Sequence, residues 1–101
     1  MSNIIEIGKI DGLGRIYIDR ELIKENDVSF EVIVRDGEIV LLRREAQRER
    51  TYYENIEKGN AIRNLDEVGR IMLPTYAQEK LDYKEGDTLK FRAEEVIVIS
   101  K

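Results

Sequence analysis

The chain has 101 residues, 42% of them apolar and 38% charged, and its 17 Lys+Arg against 21 Asp+Glu leave a net charge of −4. That length holds one domain or two very small ones and excludes a multidomain enzyme. No His, Cys or Trp occurs, which rules out a disulfide framework, a Cys/His zinc site, a thiol nucleophile, a Ser-His-Asp triad and a His general base. The opening MSNIIEIGKI has no basic stretch followed by an apolar one, and apolar runs such as Ile39–Leu42 stop at four residues. A soluble, cytoplasmic, non-enzymatic protein with no membrane partner and no cofactor is expected.

In chain order, Ile5, Ile7 and Ile10 lead into a turn at Asp11–Gly14, and Ile16 and Ile18 alternate with Arg15 and Tyr17 beyond it. A second hairpin follows. Phe30, Val32 and Val34 alternate with Glu31, Ile33 and Arg35, Asp36-Gly37 supplies the residues of a tight primed turn, and Ile39–Leu42 returns. Arg43–Lys58 lacks strand alternation, is rich in Ala, Gln, Arg and Glu, and ends before Gly59-Asn60, so it reads as a helix with a C-cap there. Its Tyr52, Tyr53 and Ile56 form a patch suited to docking on the β core. Further on, a Pro at position 74, placed for the first helical position, precedes Ala77 and Leu81 at helical spacing. The chain closes with a hairpin of Leu89 and Phe91, a turn around Ala93–Glu95, and Val96–Ile99.

These elements repeat. Ile10-Asp11-Gly12-Leu13-Gly14-Arg15-Ile16-Tyr17-Ile18 matches Leu65-Asp66-Glu67-Val68-Gly69-Arg70-Ile71-Met72-Leu73 at an offset of 55, and Ile23–Asp27 matches Tyr83–Asp87 at an offset of 60. Repeat 1 therefore lacks five residues, within the counterpart of Pro74–Leu81, and has largely lost the short helix. The organisation reads as repeat 1 over 1–42, a helical linker over 43–60 and repeat 2 over 61–101. A repeat of ~40 residues without disulfide or metal buries too little surface to stand alone, so the two must share a core, within one chain or between two.

Both copies of Asp-x-x-Gly-Arg, their alternating β-branched residues, Pro74, the short helix and the Lys84-Glu85-Gly86-Asp87 string resemble the AbrB/MazE/SpoVT family. The resemblance implies a mostly β fold with short helices, a swapped-hairpin β-barrel built from the two AbrB-like repeats as a single-chain pseudo-dimer. It implies DNA binding and transcription regulation, with Lys9, Arg15, Arg63 and Arg70 at basic positions. The family's helix Arg pair falls on Gln78 and Glu79 here, and Gly8 stands where a basic residue is expected.

The residues themselves leave alternatives open. Arg15 and Arg70 suit bidentate contacts to phosphate or guanine, and equally pair with Asp11 and Asp66 four residues earlier; both can hold. Gly14 and Gly69 fit turn positions of positive φ. Arg44 and Arg48 share a helical face and extend a basic surface, or belong to a solvated helix with Glu45 and Glu49. Tyr17, Tyr76 and Tyr83 suit base stacking or amphipathic barrel positions. Residues 4–42 hold 5 basic and 9 acidic side chains, so neither repeat is basic overall. Binding to double-stranded DNA requires the cations on one face. The alternative is an acidic protein-interaction module, antitoxin-like or a partner of another AbrB-type protein, with weak or no DNA binding; in either reading a homodimer or a protein partner is open.

Overall fold

In the computed structural model, residues 4–23, 28–43, 56–82, 86–93 and 96–100 are described. Eight strands and one α-helix follow in order: β1 (Ile4–Lys9), β2 (Arg15–Tyr17), β3 (Ser29–Arg35), β4 (Glu38–Arg43), β5 (Ile56–Asn64), β6 (Arg70–Met72), α1 (Thr75–Leu81), β7 (Thr88–Ala93) and β8 (Ile97–Ser100). The expected mostly β architecture is present.

The two repeats are interleaved. Six strands form one sheet in the order β1-β7-β8-β4-β3-β5, while β2 and β6 form a separate antiparallel ribbon. Exchanging the repeats (β1 for β5, β2 for β6, β3 for β7, β4 for β8) leaves the order unchanged, so the fold has an internal two-fold. Its axis runs where like meets like, at Ile16 opposite Ile71 and at Val40 opposite Val98. All these pairings are made within one chain.

The β3–β4 hairpin forms as its sequence predicts. Asp36 and Gly37 both have positive φ, 49° and 76°, the backbone of a type I′ turn, whose twist matches that of the strands it joins. The first hairpin of each repeat does not form. β1 pairs with β7, and β5 with β3; Ile10 and Ile16 share a single bridge. The Gly14 and Gly69 turns, at φ 86° and 85°, instead turn each short strand toward its counterpart in the other repeat. The described residues therefore form an open six-stranded sheet plus a ribbon, not one closed sheet.

The linker expectation also needs correction. Arg43 ends β4, and Ile56–Asn60, expected as the end of a helix with its cap, begins the edge strand β5. Residues 44–55, including Tyr52 and Tyr53, lie outside those described. β5 escapes a periodicity reading because its ladder to β3 slips between Ala61 and Lys58, where Asn60 takes φ 86°. Tyr76 from α1 plugs the slip: its hydroxyl donates to the Val32 carbonyl at 2.6 Å, and the Ala61 amide donates to the phenol oxygen. Burial, with the nearby Glu31 charge, pushes the Tyr76 phenol above its usual range.

In repeat 1 the described residues that correspond to the start of α1 form no α-helix. One 3₁₀ turn, Arg20–Leu22, stands there, started by Asp19 accepting from the Glu21 amide at 2.8 Å. In repeat 2 Pro74 sits one position earlier than expected, at the N-cap of α1, and Asp82 closes the helix in a left-handed conformation.

The main core joins Ile10, Ile16, Ile18, Phe30, Val32, Ile39, Leu41, Ile71, Leu73, Phe91 and Ile99 between the sheet and the ribbon. A smaller cluster of Ile33, Val40, Leu42, Val96 and Val98 lies on the sheet's other face, with Ile56 packed on it. The central strands are thus apolar on both sides, which is why β4 reads Ile-Val-Leu-Leu without alternation.

Candidate nucleic-acid interface

Each repeat builds the same turn from the same residues. Asp11 Oδ1 accepts the amides of Leu13 and Arg15, each at 2.9 Å, while Oδ2 accepts Arg15 Nε at 2.7 Å. In repeat 2, Asp66 Oδ1 accepts from the amides of Val68 at 3.0 Å and Arg70 at 2.8 Å, and Oδ2 from Arg70 Nε at 2.7 Å. Hydrogen bonds from these amides, foremost Arg15 N and Arg70 N, hold both carboxyls below the usual aspartate range. The turns are also stitched together, because Ile18 N donates to Gly69 O and Leu73 N to Gly14 O, each at 3.0 Å. Each glycine carbonyl is thus held by the opposite repeat.

The ribbon sets the spacing of the two arginines. Ile16 and Ile71 point into the core, so Arg15, Tyr17, Arg70 and Met72 share the outer face. Arg15 lies opposite Met72 and Tyr17 opposite Arg70, which puts the arginines on a diagonal of roughly 7–8 Å. Among the described residues each guanidinium is engaged through Nε, and the side chains keep 28% and 34% of their surface exposed. Leu13 and Val68 at the turn tips, with Tyr17 and Met72 on the ribbon, are exposed apolar residues in equivalent pairs.

Not every expected basic residue joins this face. Lys9 ends β1 opposite Thr88, exposed, one residue before the bridge that leads into the Asp11 turn. Arg63 lies on β5 opposite Phe30, with Nε buried and without a hydrogen-bond partner, near enough to Tyr76 to influence its ionisation. Arg63 thus lies on an edge strand of the six-stranded sheet and not on the ribbon that carries Arg15 and Arg70. Arg44 and Arg48 fall outside the described residues, as does Tyr83. Gln78, where the family's helix arginine was expected, instead donates Nε2 to Leu73 O at 2.8 Å and lies over Gly14.

The residues that sequence reading missed are Tyr76, as the plug of the β5 slip, and Arg43, which is 3% exposed and donates from Nη2 to Leu22 O at 2.7 Å. Their partners lie 44 and 21 residues away, beyond any local pattern. Among the described residues no group of His, Cys, Asp and Glu is arranged to hold a metal, and no helix is long and apolar enough to cross a membrane. No protein-family profile matches the chain, and no curated protein is significantly similar to it.

Proposed function

We propose that this chain is a DNA-binding transcriptional regulator of the AbrB-like type, a swapped-hairpin barrel contained in one polypeptide, that presents Arg15 and Arg70 together to duplex DNA. One observation carries the reading: two identical Asp-Gly-Arg turns stand side by side on one exposed ribbon, related by an internal two-fold. Duplex sites read by two-fold proteins are themselves pseudo-palindromic, so a pair of this symmetry fits both strands at once. Anchoring each Nε on an aspartate fixes the guanidinium plane and leaves its terminal nitrogens to phosphate or guanine. Lys9 adds a cation near the first turn, and the exposed pairs Leu13/Val68 and Tyr17/Met72 add apolar contact of the kind thymine methyls accept. With so few base-reading groups, selectivity comes mainly from duplex shape.

The test is fluorescence anisotropy with mixed genomic duplex fragments across a salt series. Binding that weakens with salt is expected, and Arg15→Ala/Arg70→Ala should lower the slope of log K against log salt by about 2, one phosphate per arginine. No binding at low salt by a variant-free, folded sample refutes the proposal.

A further inference from the structure

One departure from the internal two-fold borders a cleft. Over Gly14, α1 lays the Gln78 carboxamide, which donates to Leu73 O at 2.8 Å. The equivalent positions, at the offset of 55, are Gly69 and Ile18, and among the described residues the turn Arg20–Leu22 stands in repeat 1 where α1 stands in repeat 2. A side-chain carbon added at Gly69 would meet nothing nearer than Ile18 O at 3.6 Å and the Tyr17 ring at 3.8 Å. Among the described residues no donor reaches Ile18 O, whereas its counterpart Leu73 O is bonded. Here lies a cleft of about 540 Å³ bounded by Tyr17, Asp19, Arg20, Ile23, Glu67 and Gly69, with Asp66 and Val68 beside them.

The covered half shows what shape fits: a helix placing one N–H donor over the glycine and onto the carbonyl. Charge shows how the occupant of the open half differs. Asp19 and Glu67 stand where the covered half has Pro74 and Gly12, and Arg20 where it has Thr75, so two carboxylates and one cation have been added and the lining becomes more negative by one charge. A neutral carboxamide gains less from them than a cation does, because a guanidinium or ammonium that donates to Ile18 O also carries a full charge opposite the carboxylates and suits the face of Tyr17. We infer that this cleft receives a basic side chain, Arg or Lys, carried on a short helical segment of a partner protein. The net negative lining disfavours a phosphate inside the cleft itself, while Tyr17 and Val68 on its border also belong to the face proposed to meet DNA; the inference rests on the cleft's own geometry and charge.

The probe is an acetylated, amidated peptide of residues 74–82 carrying Gln78→Arg, titrated into the ¹⁵N-labelled full chain without nucleic acid. Expected are amide shifts at Ile18, Asp19, Glu67 and Gly69, and binding about tenfold tighter than that of the same peptide with Gln78 kept, the worth of about one charge pair in a partly screened cleft. Glu67→Lys, a change at an exposed side chain, should weaken binding by about tenfold or more while leaving the unfolding midpoint in place. Equal binding of the Arg and Gln peptides, insensitivity to Glu67→Lys, or shifts centred on Gly14 through displacement of the chain's own α1 would each overturn the inference.

Discussion

Gly14 and Gly69 share sequence context and φ, yet their surroundings differ. A non-glycine residue at this φ costs about 1–2 kcal/mol. At Gly69 that is the whole expected effect of Gly69→Ala, since a Cβ there has room. At Gly14 the Cβ also collides with the Gln78 carboxamide and displaces its bond to Leu73 O. Gly14→Ala should therefore cost about 1 kcal/mol more than Gly69→Ala in urea denaturation, and the difference should vanish in a Gln78→Ala background. The paired aspartates make a second prediction. Both carboxyls titrate below their ordinary 3.8 when folded, so the stability they contribute is complete above that value and is lost as pH falls through the lowered one. Urea midpoints followed from about pH 6 to pH 2 should drop less steeply for Asp11→Asn/Asp66→Asn than for the parent, from a lower starting point. The turn itself was legible residue by residue, because every partner lies within four positions of its aspartate.

Elements were legible where two adjacent strands pair with each other. β3, the Asp36-Gly37 turn and β4 form in place, and α1 begins one residue after Pro74. β5 was not legible. Its Ile-Glu-Lys-Gly-Asn-Ala-Ile-Arg-Asn has little apolar alternation, and extended conformation there rests on hydrogen bonds to β3 and the Tyr76 plug rather than on its own propensity. The 3₁₀ turn that stands in repeat 1 where α1 stands in repeat 2 is likewise held from outside, by Arg43 at the end of β4. Replacing Arg43 with Met keeps the aliphatic stem and removes the donors, and should destabilise the chain by about 1–3 kcal/mol, the worth of hydrogen bonds from a buried charged group. Faster amide exchange should accompany it at Leu22 and Ile23, whose hydrogen bonds define that turn.

At the scale of the whole molecule, the interleaving makes each repeat depend on the other. Every strand of repeat 1 except β3 and β4, which also pair together, finds its ladder only in repeat 2, and the main core draws on both. A cut between residues 50 and 51 should leave two fragments that are each unfolded by circular dichroism, while an equimolar mixture recovers the β spectrum as a 1:1 complex. Independent folding of either fragment would contradict a shared core.

From its residues alone, this chain determines a duplicated Asp-x-x-Gly-Arg turn, a β3–β4 hairpin, a short helix in repeat 2 with five fewer residues at its counterpart in repeat 1, and a charge pattern without a basic half. All of these rest on contacts between near neighbours or on counting. Only the tertiary structure decided which strands pair, that Arg15 and Arg70 share one ribbon face while Arg63 lies on another strand, and that a cleft bordered by Asp19, Arg20 and Glu67 lies beside Gly69. Strand pairing between the repeats joins residues far apart in sequence, such as Ile4 with Ala93 and Ile16 with Ile71, and no periodicity within a strand encodes its partner.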